Sequence, residues 1–176
     1  MEIKNLDFFL RNALINLKDS KNKRKGVVAA ALIDADKFEY STSEKIKGMI
    51  YIHAERNALN HYLKKYGVPS KNSVMIISLS PCIKDSVSRD GKSCSSLLLG
   101  EDKDFFNSRI KRVHVGLIDP SQENEEFYKS LGFDLSVTSD KNLQNMCKNL
   151  YDYFLPENYG KISTFNYVQK TLSNLK

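Results

Sequence analysis

The sequence predicts an α/β protein, a three-layer α/β/α domain around a central five-stranded mixed sheet. It is read as a single domain over residues 1–176, with a motif-bearing core at about 27–155 and a C-terminal tail at 156–176. Three observations predict this. Aliphatic runs of strand length alternate with segments whose apolar residues recur at helical spacing, the order expected of strands and the helices that cover them. The run VVAAALID is apolar at nearly every position, as in a strand covered on both faces, and SVMIISLS reads as a second buried strand. At 176 residues, the core can be stable without disulfides or a structural metal.

Each element has its own signal. Leu6, Phe9, Leu10, Ala13 and Leu17 fall on one helical face, so the chain opens with an amphipathic helix. The charged run Lys18 to Lys25 is read as a solvated loop. Gly26 starts a strand over 27–34, and Asp34 to Lys37 turns the chain into the strand FEYSTS, giving a β-hairpin. From His53 to Tyr66, Ala54, Ala58, Leu59 and Tyr62 recur at helix spacing, and Gly67 with Pro69 ends the element. SVMIISLS is a buried strand that delivers Pro81-Cys82 at its end, and SSLLLG after Cys94 begins another helix. RVHVGLID and FDLSVT are further strands, separated by the helix ENEEFYKSLG with Gly132 at its end. KNLQNMCKNLYDYF closes the core as a helix, with Cys147, Leu143, Met146, Leu150 and Phe154 on its packed face. The tail after Pro156 is polar with a few aromatics, and both the protein's own surface and a partner are open to it.

Composition narrows the setting. A hydrophobic content of 41% with 27% charged residues is that of a soluble globular protein, and no apolar run approaches membrane-spanning length. The first residues mix acids with apolar positions and lack a cleavable signal pattern, so a cytoplasmic location without membrane association is expected. Three cysteines, an odd number, suit thiolates that hold a metal in a reducing compartment. The net charge of +6 favours anionic partners. The basic residues are scattered, there is no tryptophan, and no aromatic lies between 83 and 104. A continuous groove for single-stranded nucleic acid needs interleaved aromatics, so a small nucleotide-like substrate is favoured over a nucleic acid.

The chemistry is concentrated in His53-Ala54-Glu55, Pro81-Cys82 and Cys94. One imidazole and two thiolates give a zinc ion three protein ligands and leave a fourth position open for water. In an ideal helix Glu55 points about 200° away from His53, so the two do not readily serve as ligands together. Glu55 is therefore read as the acid-base catalyst, and His53, Cys82 and Cys94 as the metal ligands. A purely structural site normally uses four protein ligands and has no use for such a carboxylate. His61 and His114 are read as packing or surface residues. The loop 83–93 is anchored at both cysteines, which makes Lys84, Arg89 and Lys92 candidate substrate contacts for a phosphate, with Arg56 a fourth.

On these residues the chain resembles the cytidine/deoxycytidylate deaminase superfamily over roughly residues 27–140, through its H-x-E motif and its Pro-Cys motif. Eleven residues separate Cys82 and Cys94, where the short form of the pattern has two. That spacing looks most like the deaminase domain of the riboflavin-biosynthesis deaminase/reductase. Asn57-Ala58 after the motif, Gly91-Lys92 before the second cysteine, and Asp119-Pro120 carry the same likeness. The loop IKDSVSRDGKS departs from that branch, and no reductase domain is expected after Pro156. The resemblance implies a cytidine-deaminase-like fold with the two motif helices side by side under zinc. It also implies a homo-oligomer and hydrolytic deamination of a cytidine or deoxycytidine nucleotide or a related aminopyrimidine. The alternatives are a base in RNA or single-stranded DNA as substrate, and a zinc-containing binding module without turnover.

Overall fold

A computed structural model describes residues 5–45, 51–83, 93–101, 109–121 and 124–176. The chain opens with α1 (Leu6–Asp19), capped by Asn5, whose side chain accepts a hydrogen bond from the Phe8 N–H. The hairpin β1 (Lys25–Asp34) and β2 (Lys37–Lys45) follows, then a two-residue strand β3 (Tyr51–Ile52) and α2 (Ala54–Tyr66). β4 (Val74–Ile77), α3 (Cys94–Leu98), β5 (Arg112–Val115), α4 (Glu125–Ser130) and β6 (Asp134–Val137) come next. α5 (Lys141–Tyr151), a 3₁₀ turn (Asp152–Phe154) and α6 (Thr164–Thr171) complete the order.

The strands form one mixed sheet in the order β3-β2-β1-β4-β5-β6. The β2/β1 and β1/β4 pairs are antiparallel, while β4/β5 and β5/β6 are parallel. The expected five strands are all present, and β3 adds a two-residue edge beside β2.

Strand alternation sorts the core into two layers, because successive side chains point to opposite faces. Val27, Ala29, Ala31 and Ile33 face α1, α5 and α6, whereas Ala30 and Leu32 face α2 and α3. Val113 and Val115 share the α2 side, which turns His114 to the other face. There His114 is buried, its Nε2 2.9 Å from Asp7 Oδ1 on α1 and its Nδ1 2.9 Å from Ser136 Oγ on β6. It is a packing histidine, as expected, while His61 is exposed.

Two expectations are corrected. Lys25 does not belong to a solvated loop, for it is fully buried as the first residue of β1. Its Nζ donates to the carbonyls of Leu17 (2.6 Å), Lys18 (3.0 Å) and Ser20 (2.8 Å), which are acceptors left over where α1 ends. It also lies 4.8 Å from the Phe165 ring centroid on α6, so one cation ties two helices to the sheet. Phe154 does not continue the packed face of α5. The helix ends at Tyr151, and the tighter 3₁₀ turn buries Tyr153 while leaving Phe154 42% exposed.

The segment after Pro156 folds back onto its own core. α6 and the residues after it bury Val168, Leu172 and Leu175 in the layer shared with α1 and α5. Among the described residues, no helix is long and apolar enough to cross a membrane.

Candidate metal centre and active site

The centre forms where three chain segments end against one another. β3 leads directly into His53, the N-cap of α2, with extended backbone angles (φ −69°, ψ 149°) and no side-chain capping bond. An N-cap residue stands outside the helical wheel, so the 200° separation drawn from an ideal helix does not apply. His53 and Glu55 both line one pocket. Cys82 follows β4 after the Pro81 turn, and Cys94 is the first residue of α3, which Ser93 caps by accepting from the Ser96 N–H.

His53 Nδ1 lies 3.2 Å from Cys94 Sγ and 3.6 Å from Cys82 Sγ, and the three donor atoms fall within 4.8 Å of one another. Zinc bonds of about 2.3 Å to sulfur and 2.0–2.1 Å to nitrogen imply ligand separations of about 3.5–3.8 Å around a tetrahedron. The group therefore has the size, and with one nitrogen and two sulfurs the chemistry, that suits zinc.

The protonation pattern comes from the same crowding. Hydrogen bonding with Cys94 and with His53 holds the Cys82 thiol down to about 4 against the opposing effect of burial. The Cys94 N–H also donates to Cys82 Sγ at 3.2 Å. The contact with Cys82, together with burial, pushes the Cys94 thiol well above its usual range. The hydrogen bond to Cys82 raises His53 to about 9, over the opposing effect of burial. A metal held by these three groups would displace their protons, since its thiolate and imidazole ligands must be deprotonated. Glu55 is 3% exposed, and burial raises its carboxyl pKa although the charge of His53 pulls it down.

A cavity of about 470 Å³ opens on His53, Glu55 and Cys82. Asp119 and Ser121 also line it, and Asp119 Oδ1 accepts from the Ser121 N–H (2.8 Å) and hydroxyl (2.7 Å). The turn carrying Cys82 is pinned from below by buried Tyr128. Its hydroxyl donates to the Pro81 carbonyl at 2.7 Å and meets Ser80 Oγ at 3.0 Å, and Ser80 Oγ accepts from the Asp119 N–H at 3.0 Å. Burial pushes the Tyr128 hydroxyl up to about 12, which keeps it a donor.

The structure thus brings together His53, Cys82, Cys94 and Glu55. Cys147 stands apart in the α1/α5/α6 layer, where burial pushes its thiol up to about 12. Arg56 does not line the cavity: one helical position beyond Glu55 turns it away by about 100°, although its charge lowers the pKa of His53. Lys84, Arg89 and Lys92 lie outside the described residues. Sequence reasoning missed Asp119 and Ser121 as pocket residues, Tyr128 as their support, and the wall supplied by Tyr151, Tyr153, Phe154 and Thr164. The density of aromatics from Tyr151 to Tyr167 was the available signal for that wall.

Together, the α/β/α fold and an S₂N donor set beside a buried carboxylate define the class of zinc hydrolases that act on amino-substituted rings. Residues 3–116 match the family model for the cytidine and deoxycytidylate deaminase zinc-binding region, and the chain belongs to that family as a zinc-dependent hydrolytic deaminase. Two solved structures are similar in fold. A dCMP deaminase from the cyanophage S-TIM5 in apo form is 17% identical, covers 78% of this chain and all of its own, and gives a TM-score of 0.52. A C-terminally deleted Aspergillus oryzae Rib2 deaminase is 18% identical, covers 97% of this chain and 99% of its own, and gives 0.58. No curated protein matches the chain.

Proposed function

We propose that this deaminase removes the exocyclic amine of a small nucleotide-like pyrimidine, such as a cytidine or deoxycytidine monophosphate or an aminopyrimidine phosphate. In this reading His53, Cys82 and Cys94 hold the zinc and Glu55 moves the protons. The observation that carries it is the buried Glu55 carboxylate beside the three donors, in a cavity whose size suits a single small molecule.

Zinc, when bound, supplies a Lewis acid that makes water easier to ionise. Glu55 would take one proton from the attacking water as the water oxygen bonds to the amine-bearing carbon, and would give that proton to the adjacent ring nitrogen. It would then pass the second water proton to the amine as the C–N bond breaks, so that ring-NH₂ plus water becomes ring carbonyl plus ammonia. A buried carboxyl beside the three donors is placed to take a proton and return it. Tyr128 and Ser80 hold the Pro81-Cys82 turn in place while this happens.

The test is ammonia release by the zinc-loaded protein from nucleosides, nucleoside monophosphates, aminopyrimidine phosphates and single-stranded oligonucleotides. Turnover of a monophosphate is expected. Activity confined to oligonucleotides would replace the small-molecule reading, and silence across the panel would favour a binding module. Glu55→Gln is expected to keep its zinc and lose about 10²- to 10⁴-fold in rate. By elemental analysis, Cys94→Ala is expected to lose zinc and Cys147→Ala to retain it.

A further inference from the structure

We infer that the groove between α1 and the β1/β2 hairpin is a binding site for an aliphatic polyamine. The groove has a volume of about 650 Å³ and shares no residue with the cavity at His53, so the inference stands apart from the deamination reading. One wall is α1, with Phe8 and Phe9, and the other is the hairpin, with Phe38 and Tyr40. Asp19 and Asp36 supply its charge, and no Lys, Arg or His is among its lining residues.

That charge runs against the rest of the chain, whose net charge is +6. The cations closest in sequence turn elsewhere. Lys18 Nζ donates to the Leu175 carbonyl at 2.7 Å and Arg11 to the Lys176 carbonyl at 3.4 Å, while Lys37 Nζ stands 5.7 Å from the Tyr66 ring centroid on α2. Among the described residues, the Asp19 and Asp36 carboxylates have no hydrogen-bond or ion-pair partner, although the buried Lys25 feels the charge of Asp19. Aromatic faces also carry negative potential, so carboxylates and rings attract the same kind of ligand, a cation.

Shape decides which cation. The α1 wall runs from Phe8 to Asp19, about three turns or roughly 16 Å. β1 begins beside the end of α1, where Lys25 meets the Leu17 and Ser20 carbonyls, so the turn at its other end carries Asp36 to the opposite end of the groove from Asp19. Two carboxylates so far apart cannot share one metal ion, which needs its oxygen ligands within about 2–3 Å. They match a linear chain with ammonium groups at its ends and methylenes between. Those methylenes would cover Phe8 and Phe38, which are 52% and 47% exposed. The walls are already braced. Phe8 stands edge-on to Phe9 and Phe38 is tilted on Tyr40, each pair at 5.4 Å, and the Asn12 side chain hydrogen-bonds the Tyr40 hydroxyl. Rings held in this way lose little freedom when a ligand settles on them.

The test is calorimetric titration of the zinc-loaded full chain with spermine, and with magnesium chloride as a cation without a carbon chain. One saturable site is expected for spermine and none for magnesium. Asp19→Asn/Asp36→Asn should raise Kd by about two- to 30-fold, the range for two exposed ion pairs, and Phe38→Ala by about two- to fivefold, the range for an exposed cation–π contact. Should Asp19→Asn, close to the buried Lys25, fail to fold, Asp36→Asn alone carries the charge test. Glu126→Gln/Glu157→Gln removes two exposed charges outside the groove and should leave Kd unchanged. No saturable binding of spermine, an equal response to magnesium, or an equal loss in the Glu126/Glu157 control overturns the inference. Light scattering that finds a dimer broken by Phe38→Ala and indifferent to spermine assigns the face to a second copy of the chain, and overturns it as well.

Discussion

Gly116 follows β5 directly beneath α5, and a Cβ built on it would stand 2.2 Å from Cys147 Sγ and 3.0 Å from the Ser78 carbonyl oxygen. Neither neighbour yields easily. The Gly116 N–H donates to the Ile77 carbonyl and the Ser78 N–H to the Ala29 carbonyl, each at 2.9 Å, and Cys147 is 2% exposed. Gly116→Ala is therefore expected to cost about 2–3 kcal/mol, within the range for overpacking a filled core. Cys147→Ala removes one buried sulfur and should cost about 1 kcal/mol, as for a buried methylene. In the double variant the new methyl enters the space the sulfur leaves. The total should then be about 1–2 kcal/mol instead of the additive 3–4, a coupling of roughly 2 kcal/mol. Recovery stays incomplete because the Ser78 oxygen and Cys147 Cβ, at 3.0 and 3.1 Å, remain. Urea midpoints of the four proteins, taken with a common m-value, measure the cycle. The turn after Gly116 carries Asp119 and Ser121 to the cavity, so ammonia release weakened in Gly116→Ala should return in the double variant. Costs that add within about 0.5 kcal/mol would refute the reasoning.

Two further outcomes follow from buried cations and potential cations. Lys25→Met leaves the Leu17 and Ser20 carbonyls at the end of α1 without their donor, while the Lys18 carbonyl keeps the Gln169 side-chain amide, and should destabilise by about 2–4 kcal/mol, since breaking a buried charged contact costs more than the contact contributes net; an unfolding curve matching wild type would contradict this. Burial holds the His114 pKa below its usual 6.5, against the opposing effect of its hydrogen bond to the Asp7 carboxylate on α1, while Ser136 on β6 does not titrate. The folded state thus binds this proton less readily than the unfolded state, and the stability His114 contributes is present above the unfolded pKa and lost as pH falls below about 6.5. His114→Gln should flatten the fall in stability between about pH 7.5 and pH 5, and equal slopes in the two proteins would exclude His114 as its source.

What the sequence disclosed, and what it concealed, divides by how local the cause is. His53 and Glu55 stand two positions apart at a helix start, and Cys82 and Cys94 each sit at an element boundary, so spacing together with the known H-x-E and Pro-Cys pattern brought the four to attention. Lys25 was concealed by its company in a charged run. Yet it shares strand parity with Val27, Ala29, Ala31 and Ile33, all of which face the α1 layer. Parity also placed His114 opposite Val113 and Val115, but the partner waiting there, Asp7, comes from a helix more than a hundred positions earlier. Distances of that kind have no local signature.

Phe154 shows the same limit at the site itself. Extending an ideal helix from Leu143 through Leu150 puts it on the packed face, at about 100° per residue. The helix ends at Tyr151, and the following turn advances at about 120°, enough to exchange the roles of Tyr153 and Phe154. One misplaced helix end thus hid the cavity's aromatic wall. Reaction chemistry can be read from a short motif because its groups must lie within bonding distance, and neighbours in sequence achieve that cheaply. A cavity wall needs only to arrive, by any route, at the right surface. For this chain the route runs through α5 and the packing of α6 on the core, so similarity at 17–18% identity carries the fold and leaves the wall to be read from the chain's own residues.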